Sequence, residues 1–446
     1  MSLSQLRASG LLLVACLFTL GCPNGENLYV PPQATAAPGG SNVFIYVAEA
    51  RNAAVGTNGG AVSAYRLGAD GLLQGGPPLS TVTLVNPRRL AVHPALPVLY
   101  VATRSQIVGF DISNGSLRSL CGDDRLLSPP CATNPRGNNS LFDIAVGADE
   151  DGTFTLYAAE TGQAGSTSNR SRLAAYPLGD NGELPGFAGS QGIGNDVVQF
   201  EALAVSSTFV WGADTAVQRM YRFLRESDGS LPAEAPTPTP INFPTPTPTP
   251  TPNEDGPTPT PTAEPTPGPD FFLLNFPGRV EVREYPNPEP NGDLGMLYAV
   301  EEGAQRLGAW PIDEFYDLPN IPASESPVRG FYQSIVIKPD QTRIYGALFQ
   351  DGTVASYRLN ENGGIIASSE AITLPNPASY PTGLGYLEFT PTGNAPSKTV
   401  LVSQGGLDRV DGFRVREDGS LDEKPYTSTV PRTGTFPSDI AIKVLP

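Results

Sequence analysis

Residues 98–117 read VLYVATRSQIVGFDISNGSL. Two short apolar runs, each carrying one aromatic (Tyr100 and Phe110), flank a polar turn, and the second run leads into Asn114-Gly115. Runs of this length and composition read as strands. Asn-Gly tolerates positive φ and closes hairpins, so it marks a further strand pair. The stretch predicts three consecutive antiparallel strands.

The pattern recurs along the chain. Its first aromatic reappears as Tyr46, Tyr157, Trp211, Tyr298 and Tyr345, with a weaker copy around Leu401. The aromatic of the following strand reappears as Tyr65, Tyr176, Phe223, Trp310, Tyr357 and Phe413. The turn reappears as Asp70-Gly71, Asn181-Gly182, Asp228-Gly229, Asn362-Gly363 and Asp418-Gly419, and is missing only after Trp310. A third apolar motif precedes each unit: Leu90–Val92, Ile144–Val146, Leu203–Val205, Val280–Val282, Ile335–Ile337, Tyr386–Glu388 and Ile440–Ile442. With the weak strand after each turn, every unit holds four antiparallel strands, named A to D from the centre outward.

Seven such units of roughly 52 residues predict an all-β, seven-bladed β-propeller of four-stranded antiparallel blades. The chain enters at a B strand near residue 43 and finishes on an A strand at 438–444. The C-terminal strand should therefore pair with the N-terminal blade and close the ring, leaving no open sheet edge. A Pro/Thr-rich tract, residues 232–270, interrupts the series between blades 4 and 5. Alternating Pro-Thr favours extended polyproline II over ladder pairing. The tract could link two domains, but four units before it and three after favour a disordered loop out of one ring spanning 41–446.

Composition agrees. The 446 residues include 48 Gly and 47 Pro, and the net charge is −17. Gly without a three-residue period excludes collagen, and the negative balance repels phosphate backbones, which argues against nucleic acid. Residues 1–21 carry one charge (Arg7) and an apolar run, Leu11–Leu20, too short to span a bilayer but suited to an export signal. Gly21-Cys22 then resembles the bacterial lipoprotein cleavage site, with Thr19 where Leu is usual; Leu13-Val14-Ala15-Cys16 fits that pattern better but leaves an unusually short apolar run before it, so Cys22 is preferred. The expectation is lipidation at Cys22, a flexible tether over 22–40, and membrane attachment through lipid at the cell envelope. In an exported protein, Cys121 and Cys131 read as a disulfide pinching one loop, or else as two free thiols.

The repeat resembles the lactonase-type β-propeller family, which includes 6-phosphogluconolactonases and muconate cycloisomerases. The resemblance rests on B strands such as Leu99–Ala102, C strands such as Gln106–Ile112 and the Asx-Gly-x-Leu turns, over residues 42–446 without the Pro/Thr tract. It implies the propeller fold and, among its enzymes, lactone hydrolysis with a His, Glu and Arg set.

Two columns of residues should face one mouth of the channel. The B-strand ends offer Glu49, Glu160, Asp214 and Glu301, with Thr103, Leu348 and Gln404 in the other blades. The A-strand starts offer Arg88, Arg89, Asp143, Glu201, Arg279, Gln333 and Asp439. Such a rim could bind a sugar acid, a lactone or, at its carboxylates, a divalent cation; no other cofactor is implied. It could equally be a set of solvated or mutually paired charges. Lactone hydrolysis needs a base to activate water and a donor for the oxyanion. Asp143, Glu201 or Asp439 could be the base, and Arg88 or Arg89 the donor. The one histidine, His93, falls in an A–B turn at the opposite mouth and is expected as a surface turn residue, and Asp149-Glu150-Asp151 as a plain turn. The leading expectation is therefore an exported, lipid-anchored propeller that binds a protein or glycan, with a lactone hydrolase as the alternative.

Overall fold

The computed structural model describes residues 42–52, 59–68, 72–73, 77–120, 131–133, 139–162, 171–184, 189–192, 199–214, 219–231, 279–285, 292–301, 305–313, 318, 322–374, 379–389, 397–429 and 435–445. Seven antiparallel sheets ring a central axis, each ordered from an inner A strand outward. The A strands are Thr435–Val444 (blade 1), Pro87–Val92, Ser140–Ala148, Phe200–Val205, Val280–Glu284, Tyr332–Ile337 and Pro381–Phe389 (blade 7). The matching B strands are Val43–Asn52, Val98–Thr103, Phe154–Thr161, Phe209–Asp214, Gly295–Glu301, Arg343–Leu348 and Ser397–Gln404. A 3-10 turn, Gly405–Leu407, follows the B strand of blade 7.

The ring closes as the strand order required. Thr435–Val444 pairs with Val43–Asn52, from Val43↔Val444 to Asn52↔Thr435, so the last strand is the innermost of the first blade. Among the described residues four strands are present in every blade except the second, where Ala132–Thr133 adds a fifth against Ile107–Asp111, and the fourth, where there are three. The tract at 232–270, the segment 1–40 with Cys22, and Cys121 lie outside the described residues. One register differs from the sequence reading. In blade 7, Leu384 pairs with Val402 as Leu90 pairs with Val101, so the motif begins two residues before Tyr386. Apolar residues recur from Leu384 to Phe389, so periodicity alone does not fix the phase.

The core is divided by blade boundaries. Seven apolar clusters form, and each draws on two adjacent blades; one joins Tyr100 and Ala102 of blade 2 to Ile144, Leu156 and Tyr176 of blade 3. Strands buried on both faces explain the near-continuous apolar B runs, which a one-faced sheet would not need.

The two strongest sequence motifs are partners across those boundaries. Tyr46, Tyr100, Tyr157, Tyr298 and Tyr345 each donate a hydroxyl to the carbonyl of the Asx-Gly glycine in the next blade: Gly115, Gly182, Gly229, Gly363 and Gly419, at 2.7 to 3.2 Å. All five glycines have φ between +72° and +82°. At Gly182 a Cβ would also lie 2.9 Å from the Tyr100 oxygen, so the turn needs glycine for its backbone and for the approach.

Candidate functional site at the channel mouth

A cavity of about 920 Å³ runs along the axis between the A strands. Its lining is charged at both ends, with Arg283, Lys338, Glu388 and Lys443 where those strands finish and Asp143, Arg279 and Glu281 where they begin. A β-bulge interrupts A–B pairing at this point in six blades, for example between Pro87 and Arg89 and between Tyr332 and Ser334. Bulges re-aim side chains at strand ends. Taken by register, the residues at the equivalent position from blade 1 to blade 7 are Asp439, Arg89, Asp143, Ala202, Arg279, Ser334 and Gly383; Arg279 directly precedes its strand.

Three of these side chains staple neighbouring blades. Asp439 Oδ2 accepts the Leu90 amide at 2.9 Å, Asp143 Oδ2 accepts the Leu203 amide at 3.0 Å, and Ser334 Oγ accepts the Leu384 amide at 3.2 Å. The opposite oxygen of each carboxylate faces a guanidinium: Arg89 Nε lies 3.5 Å from Asp143 Oδ1, and Arg279 Nη1 lies 3.5 Å from Asp439 Oδ1. Arg89 Nε and Asp439 Oδ1 are buried with no hydrogen-bond partner among the described residues. Burial pushes the Asp143 carboxyl up, against the pull of Arg89, Arg279 and the Leu203 amide.

Arg279 is the more accessible cation of the group. Its side chain is 28% exposed, against 10% for Arg89, and it lines the cavity. Arg279 Nε donates to Glu281 Oε1 at 2.9 Å. Burial works against the Arg279 charge, yet Glu281, Asp439 and Asp143 together hold the guanidinium above its ordinary value.

Glu281 was not a candidate from sequence. By register it occupies a position taken elsewhere by Ala441, Ala91, Ala145, Ala204, Val336 and Gly385. That position is small because a larger side chain of the adjoining blade packs on it: a Cβ on Gly385 would lie 2.9 Å from Ile442 Cδ1. One carboxylate in a ring of six apolar residues, 27% exposed and lining the cavity, is a functional signal that alignment of the seven repeats carries. Burial pushes its carboxyl up, with Arg279 opposing.

The remaining expected residues lie apart from this group. Arg88 donates to the Leu141 carbonyl at 3.0 Å and stacks on Phe142. Burial pulls its guanidinium below the ordinary value, Arg104 adds to that, and nearby Glu201, itself buried, opposes it. The B-strand carboxylates are bonded near their own blades. Glu49 accepts Ser63 Oγ at 2.5 Å, Glu160 accepts Arg172 Nε at 2.7 Å and the Tyr176 hydroxyl at 2.6 Å, Asp214 accepts the Gln199 amide at 3.0 Å, and Glu301 pairs with Arg306. Among the described residues, no three His, Cys, Asp or Glu side chains gather where a metal ion could sit.

Two residues at the opposite mouth differ from expectation. His93 lies in the A–B turn, but it is buried rather than a surface residue. Its Nδ1 accepts the Ala95 and Leu96 amides at 3.1 and 3.0 Å, and its ring packs 4.4 Å from Phe154. Burial and Lys443 hold its pKa down to about 4. Asp149 is an inter-blade anchor: Arg225 Nη2 meets its Oδ1 at 2.5 Å and the Ala148 carbonyl at 2.7 Å, while Arg225 Nε donates to the Tyr157 hydroxyl. Cys131 is buried, 3.7 Å from Ser119 Oγ.

Neither a protein-family model nor a curated protein matches the sequence. Solved structures do match in fold. A "putative 6-phosphogluconolactonase" from Bacteroides uniformis superposes with a TM-score of 0.57 at 14% identity, over 90% of this chain and 99% of that one. One of the same description from Bacteroides fragilis gives 0.56 at 13%, over 91% and 99%. A protein from Lactobacillus plantarum gives 0.56 at 11%, over 90% and 99%. The likeness covers the whole ring and is one of fold.

Proposed function

We propose that the A-strand mouth binds a sugar acid or its lactone, and that the protein is a lactonase-like hydrolase. The carrying observation is the Arg279–Glu281 pair, which puts a partly buried cation and carboxylate side by side in the lumen. The description of the Bacteroides proteins as "putative 6-phosphogluconolactonase", on the same fold, supports the same class.

The chemistry follows from what each group has left to give. Asp143 and Asp439 spend one oxygen each on a neighbouring blade's amide, which suits them to hold the mouth in shape. Glu281 is then the base: it removes a proton from water, and the hydroxide adds to the lactone carbonyl. Arg279, with five N–H donors, stabilises the oxyanion. Collapse of the adduct breaks the ring C–O bond, and Glu281-H returns its proton to the departing alkoxide to give the hydroxy acid.

A binding module without turnover is the second reading, favoured by the burial of His93 away from this mouth. A panel of sugar lactones tests both. Turnover abolished by Glu281→Gln and Arg279→Gln supports the hydrolase; gluconate binding without turnover of any lactone supports the module.

The export reading belongs to the same proposal: a leader over 1–21, a lipid on Cys22 and a Cys121–Cys131 disulfide in an oxidising compartment. Palmitate-analogue labelling that disappears in Cys22→Ala, and a peptide linked through Cys121 and Cys131 in non-reducing digests, are the expected results.

A further inference from the structure

Phe349 directly follows the B strand of blade 6, and Tyr380 directly precedes the A strand of blade 7. Both therefore lie at the same mouth as Arg279 and Asp439. Their rings stack, with centroids 5.0 Å apart and planes 28° from parallel. Tyr380 is 38% exposed, one of six large apolar side chains that the described residues present to solvent.

Its backbone is unusual. Tyr380 has φ +46° and is followed by Pro381; in the corresponding place of blade 2, Asn86 has φ +49° and is followed by Pro87. Asn adopts the left-handed region readily because its short polar side chain bonds locally, whereas a bulky aromatic is strained there. The Gly405 amide donates to the Tyr380 carbonyl at 3.0 Å and holds this conformation. Beside it, Ser379 is fully buried and its Oγ has no hydrogen-bond partner among the described residues. A strained aromatic where a relaxed Asn would serve, kept partly in water, is an arrangement that folding does not ask for. Strain of this kind collects at ligand clamps.

We propose that Tyr380 and Phe349 form a stacking platform for the face of a pyranose ring, so that the ligand of this mouth is a sugar acid carrying an intact sugar ring. The C–H face of a pyranose is apolar and flat enough to lie on an aromatic, while its hydroxyl edge stays in water. The acid part of this assignment rests on the Arg279 reading above; the platform itself does not.

Calorimetric titration of the full chain separates the two. The probes are lactobionate (acid and ring), gluconate (acid alone) and lactose (ring alone). Tyr380→Asn should weaken lactobionate and lactose three- to tenfold, leave gluconate unchanged and raise the melting temperature by relieving strain. Phe349→Ala should weaken the same two probes. Arg279→Gln should weaken lactobionate and gluconate but not lactose. Tyr380-dependent lactose binding with no gluconate binding keeps the platform and removes the acid site. Unchanged lactobionate affinity in Tyr380→Asn, a lowered melting temperature in that variant, or no binding of lactobionate or lactose by the unmodified protein overturns the platform.

Discussion

The Tyr100 hydroxyl donates to the Gly182 carbonyl at 2.7 Å across the boundary between blades 2 and 3. The contact ties the centre of one blade's second strand to the outer hairpin of the next, and four further copies repeat it. The two exceptions are consistent: blade 5 lacks the Asx-Gly turn and faces Trp211 of blade 4, whose Nε1 has no hydrogen-bond partner among the described residues, and blade 7 carries Leu401, which has no hydroxyl to give.

Removing this bond from one side should cost less than distorting the turn. Tyr100→Phe leaves a buried carbonyl short of a donor and should lower stability by about 1–2 kcal/mol. Gly182→Ala forces φ +82° on a residue with a Cβ and crowds the Tyr100 oxygen, so roughly 1–3 kcal/mol of strain adds to any lost bond. Urea unfolding of the two variants checks the order; a Gly182→Ala protein as stable as the parent would refute it.

His93 makes stability fall in mild acid. The unfolded chain takes up this proton near pH 6.5, the folded one only near pH 4, so between those values the unfolded state holds more protons. Lowering the pH across that window should cost the fold up to about 3 kcal/mol from this group alone. Unfolding free energies at pH 7, 5.5 and 4.5 should show the slope in the parent protein and a flatter one in His93→Asn.

The Asp149–Arg225 pair should behave as a coupled unit. Arg225→Met strands a buried carboxylate and should cost about 3–5 kcal/mol. Combining it with Asp149→Asn should cost clearly less than the two single changes added together. A double-mutant cycle by chemical denaturation gives the coupling; additive losses would mean that the two groups act independently.

Deleting residues 435–446 should abolish cooperative melting, because it strips the inner strand from blade 1 and opens both that sheet and the ring. A truncated protein with one sharp transition near the parent's would show that closure is dispensable.

The ring was readable because its determinants are local and repeated. An aromatic in an apolar run and an Asx-Gly turn each satisfy a nearby backbone demand, and seven copies make the count. The site was only partly readable. Asp143, Asp439 and Arg89 could be named, since charges at strand starts stand out. Their roles could not, because the amide that Asp439 accepts lies 349 positions away and is brought near only by closure. Glu281 hides inside Val280–Val282, which is apolar enough on both sides to pass as core. His93 reads as exposed beside Pro94, yet the turn folds back under Phe154 and buries it.

Closure also fixes a schedule. Val47 finds its inner partner in Ile440, nearly four hundred residues later. At 5–20 residues per second, synthesis of that interval takes roughly 20–80 s. Until it ends, blade 1 has no A strand and six finished blades have nothing to lock them into a circle. The circle is therefore sealed in one late step, when Thr435–Val444 becomes available to pair with Val43–Asn52.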